Sequence, residues 1–220
     1  MVVKFYYHPL SPPARSVHFT LKSLNVPFEP IILDLVNKEH KSEDFCKINP
    51  EGSVPTIVDD GFVIVDSHAI NIYLVNKFGK DDKLYPKDLK EQSEVNHVLF
   101  LDASEVFAAL KRTVKSFPLD TVFIPDDKVI ELFENTYEIV EKLAGKTQYI
   151  CGNSWTIADF SIVSSITSMN EMIPVNKEKF PSLISYLELC SKNLPHYAEV
   201  NEAGLEEWKK YLKAKKFQAK

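Results

Sequence analysis

The chain is short of cysteine, glycine, positive charge and long apolar runs, and each shortage removes a class of protein. Three cysteines, Cys46, Cys151 and Cys190, are odd in number, widely spaced and form no CxxC pair. That is the usage of reduced, mostly buried thiols, and it excludes a disulfide framework or a cysteine-rich zinc site. Six glycines among 220 residues are too few for the many tight turns of a β-sandwich and lean toward helices. Lysine plus arginine number 26 against 31 acidic residues, so the basic footprint that a phosphate backbone requires is missing and no nucleic acid is expected as a partner. The longest apolar stretches, such as Phe62–Val65, fall far short of the roughly 18 residues of a membrane span. The opening MVVKFYYHPL has no signal-peptide apolar region. A cytoplasmic protein without a membrane partner is expected.

Nucleotide, protease and hydrolase signatures are missing as well. No GxGxxG, HExxH or GxSxG occurs, no metal site is readable, and Gly145-Lys146-Thr147 lacks the upstream glycine of a phosphate loop because Val140 stands there. That segment is expected to be a helix-ending turn.

What is present suits two modest soluble domains. Val2–Tyr6 reads as a buried strand ending near Tyr7, the Pro-rich HPLSPP as a loop, and Ala14, Val17, Leu21 and Leu24 as a helix stripe ended by Asn25-Val26-Pro27. Phe28–Leu33 follows as a second strand, completing a βαβ unit with parallel strands. After a short helix near Ser42–Ile48 and the NPEGSVP loop, Thr56–Val58 and Phe62–Val65 flank an Asp-Gly turn, a hairpin signal. Asp66 or Ser67 then caps a helix running to Phe78 and stopping at Gly79 in the C′ position. This gives a first domain over 1–79, a charged linker over 80–88 packed by Leu84 and Tyr85, and an all-helical domain over 89–220.

In that second domain Leu99, Ala103, Val106, Phe107, Leu110 and Val114 trace one helix face, and Val129, Leu132, Phe133, Tyr137 and Val140 trace another. Thr156 and Asp159 form a capping box, with Trp155 and Phe160 as its hydrophobic staple. The helix that follows, studded with Ser161, Ser164, Ser165 and Ser168, is expected at the centre. The lysine-rich tail Lys209–Lys220, interleaved with Tyr211 and Phe217, reads as a solvated helix end.

Chemistry is expected at the carboxyl end of the first strand, where open α/β sheets bind ligands and a helix N-terminus offers N–H groups. Ser11 sits at that junction. It either caps the helix, with Pro12 at the first helical position, or donates its hydroxyl to an anion. No local pattern supplies the base that a nucleophilic serine needs, and His8 lies across prolines. A hydroxyl donor at a helix start instead suits the activation of a bound thiol. A thiol pKa near ~8.5 lowered by about two units, roughly 2.7 kcal/mol, yields mostly thiolate at neutral pH.

The stretch YYHPLSPPARSV, the Val54-Pro55 pair, Asp66-Ser67-His68-Ala69-Ile70, KFGKDDKLYP and TIADFS resemble the cytosolic glutathione S-transferases. Among these they look like the insect delta and epsilon groups, epsilon favoured. The resemblance spans the chain in the right order. It implies an α/β thioredoxin-like N-terminal domain, an all-α C-terminal domain, a homodimer, and glutathione as co-substrate with no metal. It implies Ser11 as the thiol activator, a cis Pro55 preceded by Val54 whose backbone pairs with the cysteinyl unit, Asp66 and Ser67 on the γ-glutamyl group beside His68, and His40 facing the glycyl carboxylate.

Relatives in that family commonly carry histidine where Gly52 stands, so one glycyl contact and some glutathione affinity are expected to be missing. Ala14, three after Ser11, leaves no redox cysteine pair, which argues against glutaredoxin-like chemistry. A hydrophobic second substrate is expected against Leu10, Leu35, Phe107, Leu110, Lys111 and Val114. The expected activity is conjugation of the glutathione thiolate to hydrophobic electrophiles. The rivals are a non-catalytic carrier of lipophilic ligands and a glutathione-dependent peroxidase or isomerase.

Overall fold

A computed structural model describes residues 2–117 and 122–218. Part of the lysine-rich tail, residues 219–220, lies outside them.

The first strand, β1 (Val3–Tyr7), alternates buried and accessible positions and pairs on both edges. It runs parallel to β2 (Phe28–Ile32) and antiparallel to β3 (Thr56–Asp59), which in turn pairs antiparallel with β4 (Phe62–Val65). The sheet order is therefore β2-β1-β3-β4. Pro30, which cannot donate to a ladder, lies in the edge strand β2. Helices α1 (Pro12–Ser23) and α3 (Ser67–Phe78) pack on each other and on the sheet, with the short α2 (Glu43–Ile48) between β2 and β3.

The helix α3 does stop at Gly79, but Gly79 is extended, with φ −61° and ψ 131°, rather than left-handed. The glycine serves close packing instead, because a Cβ there would overlap the Val75 carbonyl oxygen.

The remaining described residues form six helices: α4 (Leu89–Leu101), α5 (Phe107–Lys115), α6 (Asp127–Ala144), α7 (Ile157–Asn170), α8 (Pro181–Asn193) and α9 (Ala203–Ala214). A wide π turn at Asp102–Val106 joins α4 to α5, and another at Ala198–Glu202 precedes α9. The first of these corrects the expected stripe. The turn is locally wider than an α-helix, and within it Asp102 is buried and Ala103 is exposed, while Val106 and Leu110 keep their places in the buried stripe.

Helix α7 is buried over its whole length but the last residue and packs directly on α1. Its small side chains permit that approach, and the Ser16 and Ser161 hydroxyls meet at 2.9 Å while Asn71 Nδ2 donates to Ser16 Oγ at 2.8 Å. Thr156 N donates to Asp159 Oδ2 at 2.8 Å and Ala158 N donates to Thr156 Oγ1 at 3.2 Å. The buried Asp159 carboxylate also accepts from Ile150 N and from the Tyr186 hydroxyl, each at 3.0 Å. Phe160 stacks on Phe19 of α1, while Trp155 meets Tyr149 edge-on. Of the three free cysteines only Cys190 is fully buried; Cys46 and Cys151 are half-buried. Among the described residues no helix is long and apolar enough to cross a membrane.

Candidate active site at one end of the sheet

Strand register gathers the candidate residues. Tyr6 of β1 stands opposite Thr56 of β3, which stands opposite Val65 of β4. The loop after Tyr7, the Val54-Pro55 bond before β3 and Asp66 after β4 therefore leave the sheet at the same end of its strands. The Val54-Pro55 peptide is cis.

Ser11 occupies the N-cap position of α1 with extended backbone, yet its side chain makes no bond to the first turn. Pro12 and Pro13 fill the first two helical positions and neither has an N–H, which leaves only Ala14 N as a first-turn donor within a cap's reach. The expected array of free N–H groups at this helix start is accordingly reduced to that of Ala14, and beside it stands the Ser11 hydroxyl, on a residue only 7% exposed. His8 is turned away from a base's role. Its Nδ1 accepts from Leu10 N at 3.2 Å, and burial lowers its pKa against the opposing charges of Glu207 and Asp34.

The loop is fixed from below by Arg15, which the sequence reading passed over. Arg15 is fully buried, donating through Nη1 to the carbonyls of Pro9 and Leu10 at 3.2 Å each and through Nε to Asn201 Oδ1 at 3.1 Å. Its Nη2 donates to Ser164 O at 2.8 Å and to Ser168 Oγ. Every one of these acceptors is neutral, and burial pulls the guanidinium pKa down to about 9. Gly204 is the companion of this arrangement, since a Cβ there would overlap Arg15 Cδ and come within 2.7 Å of Pro9 O.

Asp66 caps α3 from a left-handed backbone, φ 68°, its Oδ1 accepting from His68 N at 2.9 Å and Ala69 N at 3.1 Å. The carboxylate remains open to solvent, and its bond to the His68 side chain, outweighing burial, holds its pKa down. Ser67 is buried beside it at the first helical position. His68 is buried too. Its Nε2 lies 3.0 Å from Asp102 Oδ2 and its Nδ1 lies 3.5 Å from Asp66 Oδ1, an ion-pair distance.

His40 lies in a single 3₁₀ turn, Glu39–Lys41, half-buried, and burial together with Lys41 and Lys38 lowers its pKa. The space beside it is taken. Gly52 has φ +54°, and a Cβ on it would fall 2.7 Å from His40 O and 3.1 Å from Lys41 Nζ. Lys41 Nζ is anchored there by donating to Glu51 O at 2.8 Å. An ammonium group thus stands where a side chain at position 52 would point.

Of the residues expected to meet a hydrophobic substrate, Leu10, Leu35, Phe107, Leu110 and Val114 belong to one apolar cluster. Leu110, 1% exposed, is interior to it. Lys111 is solvent-exposed. Among the described residues no group of three or more His, Cys, Asp or Glu is arranged to hold a metal.

Sequence reasoning missed Arg15, Asp102, Lys41 and Gly204. An arginine beside a buried helix stripe was the only available signal for the first. The others depend on contacts between distant segments.

Residues 1–76 match the family model described as glutathione S-transferase, N-terminal domain, and residues 126–201 match glutathione S-transferase, C-terminal domain. Glutathione S-transferase 1 of Manduca sexta is 38% identical over 208 residues, 93% of this chain and 94% of that protein. An epsilon-class glutathione S-transferase from the housefly, Musca domestica, superposes with a TM-score of 0.93 at 37% identity, covering 98% of this chain and 99% of the other. A glutathione transferase homologue of Drosophila mojavensis, solved with bound glutathione, gives a TM-score of 0.92 at 37% identity over 98% of each chain.

Proposed function

The chain belongs to the glutathione S-transferase family, and we propose that it is a cytoplasmic transferase in which the Ser11 hydroxyl stabilises the glutathione thiolate for attack on hydrophobic electrophiles. The observation that carries the Ser11 assignment is the unused hydroxyl at a proline-blocked helix start. A charge-assisted O–H···S bond in a buried site stabilises the thiolate over the thiol, and only that difference favours reaction. Ser11 acts as a donor throughout and forms no covalent intermediate.

Asp66 offers a carboxylate to the γ-glutamyl ammonium, and Ser67 offers a hydroxyl and an N–H at the start of α3 to its carboxylate. His68 orients Asp66. The backbone of Val54, ahead of Pro55, pairs with the cysteinyl unit, and His40 with Lys41 faces the glycyl carboxylate. The electrophile rests on Leu10, Leu35, Phe107 and Val114, with Lys111 at the solvent side and Leu110 supporting from within.

The domain limits are 1–79 and 89–220, with 80–88 as linker. The working unit is a homodimer. Phe62 on β4 and Phe100 on α4, 61% and 72% exposed, are the kind of apolar surface that a symmetric partner covers.

Incubation with glutathione and 1-chloro-2,4-dinitrobenzene tests the activity: the expected result is the thioether with release of chloride, identified by mass. Tight binding of the aromatic compound without turnover would make the protein a carrier, and turnover confined to hydroperoxides would make it a peroxidase.

A further inference from the structure

Arg15 carries a charge that no neighbour cancels. It is 1% exposed, and its acceptors, the carbonyls of Pro9, Leu10 and Ser164, the Asn201 amide and the Ser168 hydroxyl, are all neutral. Among the described residues it forms no ion pair. The nearest acidic groups are engaged elsewhere, Glu199 with Lys22 and His196, and Glu207 with Lys210. The other titratable groups around it are Tyr7, His8, His18 and Tyr197. Burial lowers the pKa of both histidines and raises that of both tyrosines, so all four are neutral near pH 7. Burial also pulls Arg15 down to about 9, which still leaves it charged there. An unpaired buried charge is costly to the fold, whereas bonding carbonyls needs only a neutral donor.

The charge lies under the Ser11 loop. Nη1 meets Pro9 O and Leu10 O at 3.2 Å each. From Leu10 O only one peptide unit and the Ser11 side chain separate it from the hydroxyl, which keeps the guanidinium within ~9 Å. A thiolate at Ser11 has that hydroxyl and a helix start reduced to the Ala14 N–H. One positive charge ~10 Å away, in a buried site of effective dielectric near ~20, lowers a thiol pKa by about one unit.

We infer that Arg15 supplies, from beneath the Pro9 and Leu10 carbonyls, an uncompensated positive charge that helps the Ser11 hydroxyl hold glutathione as its thiolate. Arg15 is thus a positioning residue whose charge matters as well as its bonds. The inference rests on the reading of Ser11 as the thiol's donor.

The test cancels the charge and keeps the contacts. Asn201→Asp retains an oxygen acceptor for Arg15 Nε, now 3.1 Å away, and adds a carboxylate. The readout is the pKa of the glutathione thiol in the binary complex, followed by the ultraviolet absorbance of the thiolate as pH is varied. It should rise by about one unit, and kcat/KM below that pKa should fall about tenfold, with the KM for glutathione little changed. An unmoved pKa would overturn the proposal, since a purely structural Arg15 predicts it. Should Asn201→Asp fold poorly, Arg15→Gln and Arg15→Lys replace it: the neutral variant should raise the thiol pKa and the charged one should keep it near the native value, and equal values in the two would overturn the proposal. Ser11→Ala separates the two readings. A pKa moved by Asn201→Asp but not by Ser11→Ala would sink the Ser11 assignment and uphold that of Arg15, and the reverse would sink Arg15 alone.

Discussion

His68 and Asp102 join the two domains directly beneath the candidate glutathione site. The imidazole donates across 3.0 Å from the first turn of α3 into the π turn at the end of α4, while its other nitrogen faces Asp66. Burial alone would lower the imidazole pKa, but Asp102 and Asp66 outweigh it and hold it up at about 9, against an ordinary value of 6.5. A group raised on folding stabilises fully below its unfolded pKa and loses that contribution as pH climbs through the folded one. The gap in Tm between the native chain and His68→Gln should therefore be largest below pH 6.5 and shrink as pH rises through 9. A gap that stays constant over that range would remove the charged clamp.

Ser11→Ala should lower kcat with glutathione and chlorodinitrobenzene by about a hundredfold at neutral pH, the equivalent of roughly 2.7 kcal/mol lost from the thiolate. The KM for glutathione should change far less. The alkaline rise of kcat/KM should also move up toward the free thiol's pKa, near ~8.5. A profile that keeps its native midpoint would assign thiol activation to another group.

Histidine at Gly52 should not strengthen glutathione binding here. The left-handed backbone and the 2.7 Å approach to the His40 carbonyl force Gly52→His to strain the loop, at ~1–3 kcal/mol. Lys41→Ala should raise the KM for glutathione about two- to fivefold with kcat preserved, as expected for an exposed charge contact of ~0.5–1 kcal/mol. Calorimetric titration of both variants separates the two effects; tighter binding by Gly52→His would refute this account of the loop.

Gly204→Ala should destabilise the protein by ~1–3 kcal/mol, because its methyl would displace Arg15 and the Pro9 carbonyl. Since Arg15 also holds Leu10 O, kcat should fall along with Tm. Full activity in a destabilised Gly204→Ala protein would show that the loop's position does not depend on this packing.

Much of this architecture was legible because local signals agreed with the fold. The Asp-Gly turn, the apolar run of β1, the Thr156–Asp159 box and the serine-studded α7 each specify local geometry without reference to distant residues. Ser11 was legible as a position but not as a state. Pro13 removes one of the two N–H groups that a cap could reach, and that the hydroxyl leaves the other, on Ala14, unused is a matter of side-chain orientation that composition hides. Ala103 was misplaced because periodicity assumes one helical pitch throughout. Arg15, Lys41 and Asp102 were invisible as partners because their meaning lies in contacts with the Pro9 carbonyl, Glu51 and His68, which no spacing rule supplies.

The π turn at Asp102–Val106 also governs how this protein can vary. Deleting a single residue there would restore a regular helix and leave the faces of α4 and α5 in their present relation, because a wide turn is how a helix absorbs one surplus residue. Were the residue lost Asp102, its contact with His68 would go with it. The segment between α4 and α5 can thus change length by one residue without re-aiming α5, and the identity of the residue lost decides whether the contact with α3 survives.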